Sequence, residues 1–257
     1  MTPYKNGFRD DEYESKRLEG RNVILEALKN GAPLDKIFIK KGEIEGTLRI
    51  IKAMARDIGV PVCETDKVKL DFMSRAGSHQ GVIATLSSRE YVETEDILAA
   101  AEEKGEQPFI LALDGMTDPR NFGAIIRSAD AFGVHGVITT KRRSAGLTAA
   151  ASKAAAGAAE YALVARAPNL AGEIDKLKKR GLWVAYADAR GEPISAARLD
   201  GPLAVVIGGE GGGVSALTRK KCDFNVSIPM LGHIPSLNAS VAAAIIMYEV
   251  SRRRRGE

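Results

Sequence analysis

Three stretches of this sequence concentrate side chains that position a ligand rather than attack one. The first, DGMTDPRNFGAIIRSADAFG at residues 114–133, offers Asn121 and Arg127. The second, VVIGGEGGGVS at residues 205–215, sets Glu210 among five glycines. The third, IPMLGHIPSLNAS at residues 228–240, carries Ser236 and Asn238 beyond the structure breakers Gly232 and Pro235. Arginine is a permanent cation whose forked donors match phosphate and carboxylate. Amide and hydroxyl side chains orient polar groups, and glycine lets backbone come close to a ligand. Metal chemistry is not expected, because His79, His135 and His233 are scattered and Cys63 and Cys222 stand alone.

Each stretch also has a purely structural reading. Ser236 or Asn238 can cap the apolar helix that follows, VAAAIIMYEV. Arg127 lies seven residues after Arg120, so the two nearly superpose on one helix face, opposite Phe122, Ile125, Ile126 and Ala129. A solvated arginine on an amphipathic helix would look the same. The glycine run matches G-x-G-x-x-A at Gly211, Gly213 and Ala216, but Asp223 comes too early for a dinucleotide fingerprint and no GK[ST] follows.

The elements around these stretches decide between the readings. From residue 107 onward, apolar runs such as FILALDG, GVITT, LWVAYAD, LAVVIGG and NVSIPM alternate with helical patterns. That alternation predicts an α/β fold with a mostly parallel sheet covered on both faces. Each polar stretch follows a strand, so a doubly wound sheet brings all three to one edge. Asp118 followed by Pro119 reads as the cap and first residue of the helix bearing Arg127. Residues 16–88 read as a smaller α/β unit, with strands at KIFIK, VPVCE and HQGVIATLS and helices between them. Residues 1–15 read as a mobile arm, 89–106 as a linker helix, and 107–257 as the second domain. The Ala-rich piece AGLTAAASKAAAGAAEY reads as a surface helix with a mobile lead-in.

Composition narrows the class. The 257 residues are 45% hydrophobic and 27% charged, with formal net charge +4. No apolar run reaches the roughly 18 residues of a membrane helix, and the opening residues lack a secretory signal. The two isolated cysteines fit a reducing compartment, and a cytoplasmic location is expected. Basic residues cluster at 141–143, 176–180, 219–221 and 252–255, which makes nucleic acid a serious partner.

In order and spacing the three stretches resemble the three motifs of the SpoU (TrmH-type) RNA ribose 2′-O-methyltransferases of the SPOUT superfamily. The front unit, with LEGRNVILEAL and HQGVIA, resembles the ribosomal-protein-like RNA-binding domain of that family's ribosomal RNA guanosine branch. The resemblance implies a trefoil-knotted catalytic domain and S-adenosylmethionine bound mainly by backbone at Gly208, Gly209, Ile228, Met230 and Leu237. It places the catalytic set on Asn121, Arg127, Glu210, Ser236 and Asn238. It also implies a homodimer and structured RNA as substrate, with a guanosine of 23S rRNA foremost. Gly209, where many members have a small polar residue or Ala, and Pro235 depart from the family pattern. Transfer RNA, an antibiotic-resistance methylation, a nucleotide-dependent oxidoreductase and a non-catalytic RNA-binding protein are the rival readings.

Overall fold

The computed structural model describes residues 17–75, 77–87 and 89–257. The arm expected at 1–15 lies outside them. The front unit contains β1 (Arg17–Glu19), α1 (Arg21–Lys29), β2 (Leu34–Lys40), α2 (Thr47–Asp57), β3 (Val62–Thr65), α3 (Lys67–Met73) and β4 (Val82–Leu86). Its sheet runs β1-β4-β2-β3, with β2 and β3 parallel and the other pairs antiparallel. Alternate residues of β2, Ile37 and Ile39, meet Ile24, Leu48 and Ile51 from α1 and α2 in one buried cluster. β1 carries no apolar alternation and was not foreseen. It forms because Arg17, Leu18 and Glu19 pair with Thr85, Ala84 and Ile83 on β4.

The second unit contains α4 (Thr94–Glu103), β5 (Phe109–Asp114), α5 (Pro119–Ala131), β6 (Gly136–Thr140), α6 (Ala149–Ala155), β7 (Val164–Ala167) and α7 (Leu170–Lys179). β8 (Trp183–Pro193), β9 (Leu203–Gly208), α8 (Ala216–Lys221), β10 (Phe224–Ser227) and α9 (Ala239–Arg254) complete it. Its strands form one parallel sheet of order β10-β8-β9-β5-β6-β7. Strand β5 shows why the apolar runs are unbroken. Phe109, Leu111 and Leu113 join the core beneath α5 and α9, whereas Ile110 and Ala112 join the core beneath α4 and α7.

Three segments differ from expectation. Residues 89–106 do carry a helix, α4, but it packs as part of the second unit. Ile97 and Leu98 are buried in the core beneath the sheet, Ala101 is buried beside them, and Val92 bridges to Ala165 of β7. Three apolar residues at helical spacing suffice for this, although the surrounding charge makes the segment look solvated. The Ala-rich segment is not a surface helix with a loose lead-in. Residues 144–147 are buried, and α6 buries Ala151 and Ala155 against α5. Small side chains permit that approach: a Cβ on Gly123 of α5 would overlap the Ala151 carbonyl oxygen. Finally, β10 stops at Ser227, so Ile228 and Met230 lie in the connection to α9.

Candidate active site

The sheet changes direction beside β5. From β5 the chain runs outward through β6 and β7, then continues on the other side through β8, β9 and β10. The ends of β5 and β9 lie in register, Asp114 opposite Gly208. Open α/β sheets take their ligands in the crevice at such a switch point.

The glycine loop is fastened to the end of β5. The Gly209 N–H donates to the Asp114 carbonyl at 2.7 Å, and the Ser215 N–H donates to the Asp114 carboxylate at 2.8 Å. A Cβ on Gly208 would overlap the Gly213 backbone, and one on Gly209 would overlap the Gly115 carbonyl. These two glycines are therefore required by the chain's own packing, before any ligand is considered. Gly211 and Gly213 take φ of 81° and 60°, which L side chains rarely adopt.

The turn holds Glu210 toward α5. Asp118 caps α5 by accepting from the Arg120 N–H at 2.8 Å, with Pro119 in the first turn. This places Asn121 at the mouth of the crevice, where its amide nitrogen donates to the Glu210 carboxylate. The Asn121 carbonyl accepts from the Asn238 side-chain amide at 3.1 Å. Asn238 is in turn the N-cap of α9, accepting from the Ser240 N–H at 2.9 Å. One residue thus both caps α9 and bonds to Asn121. One member of each of the three stretches takes part in a single hydrogen-bonded chain.

Beside this chain lies a cavity of about 640 Å³. Gly208, Gly209, Glu210, Ile228, Met230, Ser236, Leu237 and Asn238, all singled out by sequence, line it together. Its volume is that of a drug-sized ligand site, and its walls combine aliphatic side chains with glycine backbone. Arg127 is not among the lining residues. It is exposed on α5, while the Asn121 side chain bonds to Glu210 and Asn238.

Asp188, Arg190 and Arg219 complete the wall and were missed. Strand β8 pairs with β10 at Ala185 and Tyr186, loses register, and resumes at Glu192 and Pro193. The excursion between carries Asp188 into the cavity wall, where it pairs with Arg219 at 3.1 Å. A charged DAR directly after an apolar strand run was the available signal. Cys222 stands at the C-terminal end of α8, where burial pushes its thiol up to about 12, so it is no nucleophile at neutral pH. Among the described residues no cluster of three or more metal-ligating side chains occurs, and no helix is long and apolar enough to cross a membrane.

Comparison with known proteins gives the family. Residues 17–92 match the model described as RNA 2'-O ribose methyltransferase substrate binding. YacO of Bacillus subtilis, which carries the name of the TrmH family of tRNA/rRNA methyltransferases, is 44% identical over 237 residues, covering 91% of this chain and 94% of that one. The SpoU methyltransferase AviRb from Streptomyces viridochromogenes, solved in complex with the cofactor AdoMet, aligns with a TM-score of 0.60 at 25% identity, over 95% of this chain and 92% of that one. The A. aeolicus TrmH/SpoU tRNA modifying enzyme aligns with a TM-score of 0.54 at 25% identity, over 63% of this chain and 84% of that one. With residues 108–248 matching the SpoU rRNA Methylase family model, and a relative of this identity and coverage, the chain belongs to the SpoU family of RNA methyltransferases.

Proposed function

We propose that this chain moves a methyl group from S-adenosylmethionine to a ribose 2′-hydroxyl of structured RNA, with a guanosine of large-subunit ribosomal RNA as target. The observation that carries the reading is the hydrogen-bonded chain from Glu210 through Asn121 to Asn238, closing the cavity that the glycine loop and residues 228–238 line. The cofactor fits what lines that cavity. Ile228, Met230 and Leu237 offer an apolar wall for a planar base, the backbone of Gly208 and Gly209 offers polar groups, and Glu210 puts a carboxylate at the rim of a site for a cationic sulfonium. When bound, that sulfonium supplies an electrophilic methyl group.

The protein's own part is to place the hydroxyl and ease loss of its proton. A guanidinium titrates above about 12 and is a poor base. Arg127 therefore acts as a clamp on the phosphate beside the target ribose and polarises the 2′-oxygen. Glu210, Asn121 and Asn238 hold the glycine loop to α9, and Ser236 orders residues 228–238 at the cavity edge. The front unit supports RNA as substrate: Arg21, Lys40, Lys41 and Lys67 surround a cleft of about 690 Å³. A second copy of the chain is proposed on α9. Its Val241 and Tyr248 are exposed, and the neighbouring Leu231 and Ile234 are 103% and 70% exposed. The VAAAIIMY stretch of α9 is apolar on all sides, and such a helix is normally covered.

The test is transfer of labelled methyl from the cofactor to ribosomal and transfer RNA, followed by mapping of 2′-O-methyl positions. Label on a 23S guanosine is expected. Label on tRNA alone overturns the substrate, and label on no RNA overturns the activity. Arg127→Ala is expected to abolish transfer while leaving cofactor affinity intact, since Arg127 does not line the cavity.

A further inference from the structure

The two units meet through buried polar groups rather than through a shared apolar core, since the front cluster and the two sheet clusters have no member in common. At the centre is Asp35 of β2. Its carboxylate accepts from Arg166 of β7 at 2.7 Å and from the Tyr91 hydroxyl at 3.1 Å. Its backbone carbonyl accepts a second Arg166 donor at 3.0 Å. The Arg166 guanidinium lies 4.3 Å from the Tyr91 ring centre. The Tyr91 hydroxyl also accepts from the Leu147 N–H at 2.8 Å. The Asp35 and Arg166 side chains are only 4% and 7% exposed.

Desolvating such a pair offsets much of its attraction, so net stability is a weak reason for it to be there. A stacked, two-pronged arginine does fix direction. The contacts then continue toward the catalytic helix without slack. A Cβ on Gly146 would overlap the Asp35 carboxylate, so the lead-in to α6 rests directly on the front unit. Helix α6 rests equally closely on Gly123 of α5, two residues after Asn121.

We infer that Asp35, Tyr91 and Arg166 are positioning residues that set the angle between the front unit and α5, so that RNA held on the front unit presents its ribose at the cavity. The inference rests on the proposed RNA 2′-O-methyl transfer. Without the cluster the front unit still binds RNA, and the cavity still binds cofactor, but the two events are no longer registered.

The experiment uses the full chain with Tyr91→Phe, and with Arg166→Lys, which keeps the charge but neither the fork nor the stacking. Each is combined with Ala53→Cys and Glu102→Cys spin labels, on exposed positions of α2 and α4 outside both clefts, in a Cys63→Ser, Cys222→Ser background. One narrow distance is expected in the parent and a broadened distribution in both variants. In both, kcat on RNA falls by about tenfold or more, as misplacement of reacting groups does. RNA and cofactor dissociation constants stay unchanged. A role confined to stability would lower the melting temperature and leave kcat at 25 °C as it was. An unbroadened distance or an unchanged kcat in a folded variant overturns the inference. If the parent itself methylates no RNA, the activity reading fails instead, and the distance distributions alone decide whether the cluster fixes the angle.

Discussion

At the residue scale, one carboxylate dictates the polarity of the whole site. Glu210 can only accept, so the Asn121 side chain must turn its nitrogen toward it. That leaves the Asn121 oxygen facing Asn238, which must therefore donate with its own amide nitrogen. The Asn238 oxygen is then free to cap α9, accepting from the Ser240 and Val241 N–H groups. Asn121→Asp should be worse than Asn121→Ala. It sets a second carboxylate against Glu210 in place of the amide that donates to it, whereas Ala merely leaves partners unmet at a cost of about 1–3 kcal/mol. Melting temperatures are expected to fall in the order wild type, Ala, Asp, and an Asp variant as stable as wild type would rule out this orientation. The residue types were legible in sequence, because an acid inside five glycines and an Asn ahead of an apolar helix are conspicuous. Their partners were not. Nothing local tells that Asn121 ties Glu210 of one motif to Asn238 of another.

At the element scale, period and capping carried most of the fold. Unbroken apolar runs gave β5, β6 and β9, and Asp118 before Pro119 located the start of α5. What failed was any feature set by distant partners. Strand β1 exists only through β4, α6 is buried because Gly123 lets it in, and β8 leaves its register where β10 allows it. The arginine tail is the plainest case. Residues 252–255 look like an RNA contact, yet Arg253 donates to the Ala197 and Ile194 carbonyls, and Arg254 donates to those of Gln107, Pro108 and Gly201. Arg254 also lies over the Phe109 ring at 5.1 Å. The tail thus clamps the end of α9 to the start of β5 and to residues 194–201. Glu249 anchors it: hydrogen bonds from Arg252 and then Arg253 hold its carboxyl at about 2, down from 4.5. A carboxyl depressed in the folded state contributes stability above its unfolded value, and that contribution is lost as pH falls from about 4.5 toward 2. Glu249→Gln should therefore be less stable than wild type near neutrality and should flatten the acid limb of stability in that window. Urea unfolding at successive pH values checks this, and parallel acid limbs would contradict it.

At the scale of the whole molecule, Arg127 stands outside the cavity of its own chain while the apolar surface of α9 and residues 231–234 lies bare. The twofold dimer proposed on α9 would answer both facts, because α5 packs on α9 and its exposed face would approach the neighbouring protomer. In that proposed dimer the active unit would be a composite, with the arginine of one protomer serving the cavity of the other. Complementation separates this from a site complete within one chain. Arg127→Ala keeps the cavity and loses the clamp. Met230→Arg keeps the clamp and sets a cation in the cavity, where a cationic cofactor must sit. Each variant alone is expected to be inactive. Unfolded together and refolded as a mixture, they should regain roughly a quarter of wild-type turnover, because half the dimers formed at random are hybrids with one intact composite site of two. If the arginine acts within its own chain, no hybrid contains a complete site and the mixture stays inactive. Tyr248→Asp, placed on the bare face of α9, should abolish the regained activity and shift the sedimentation to that of a monomer, linking the recovery to this surface and to no other.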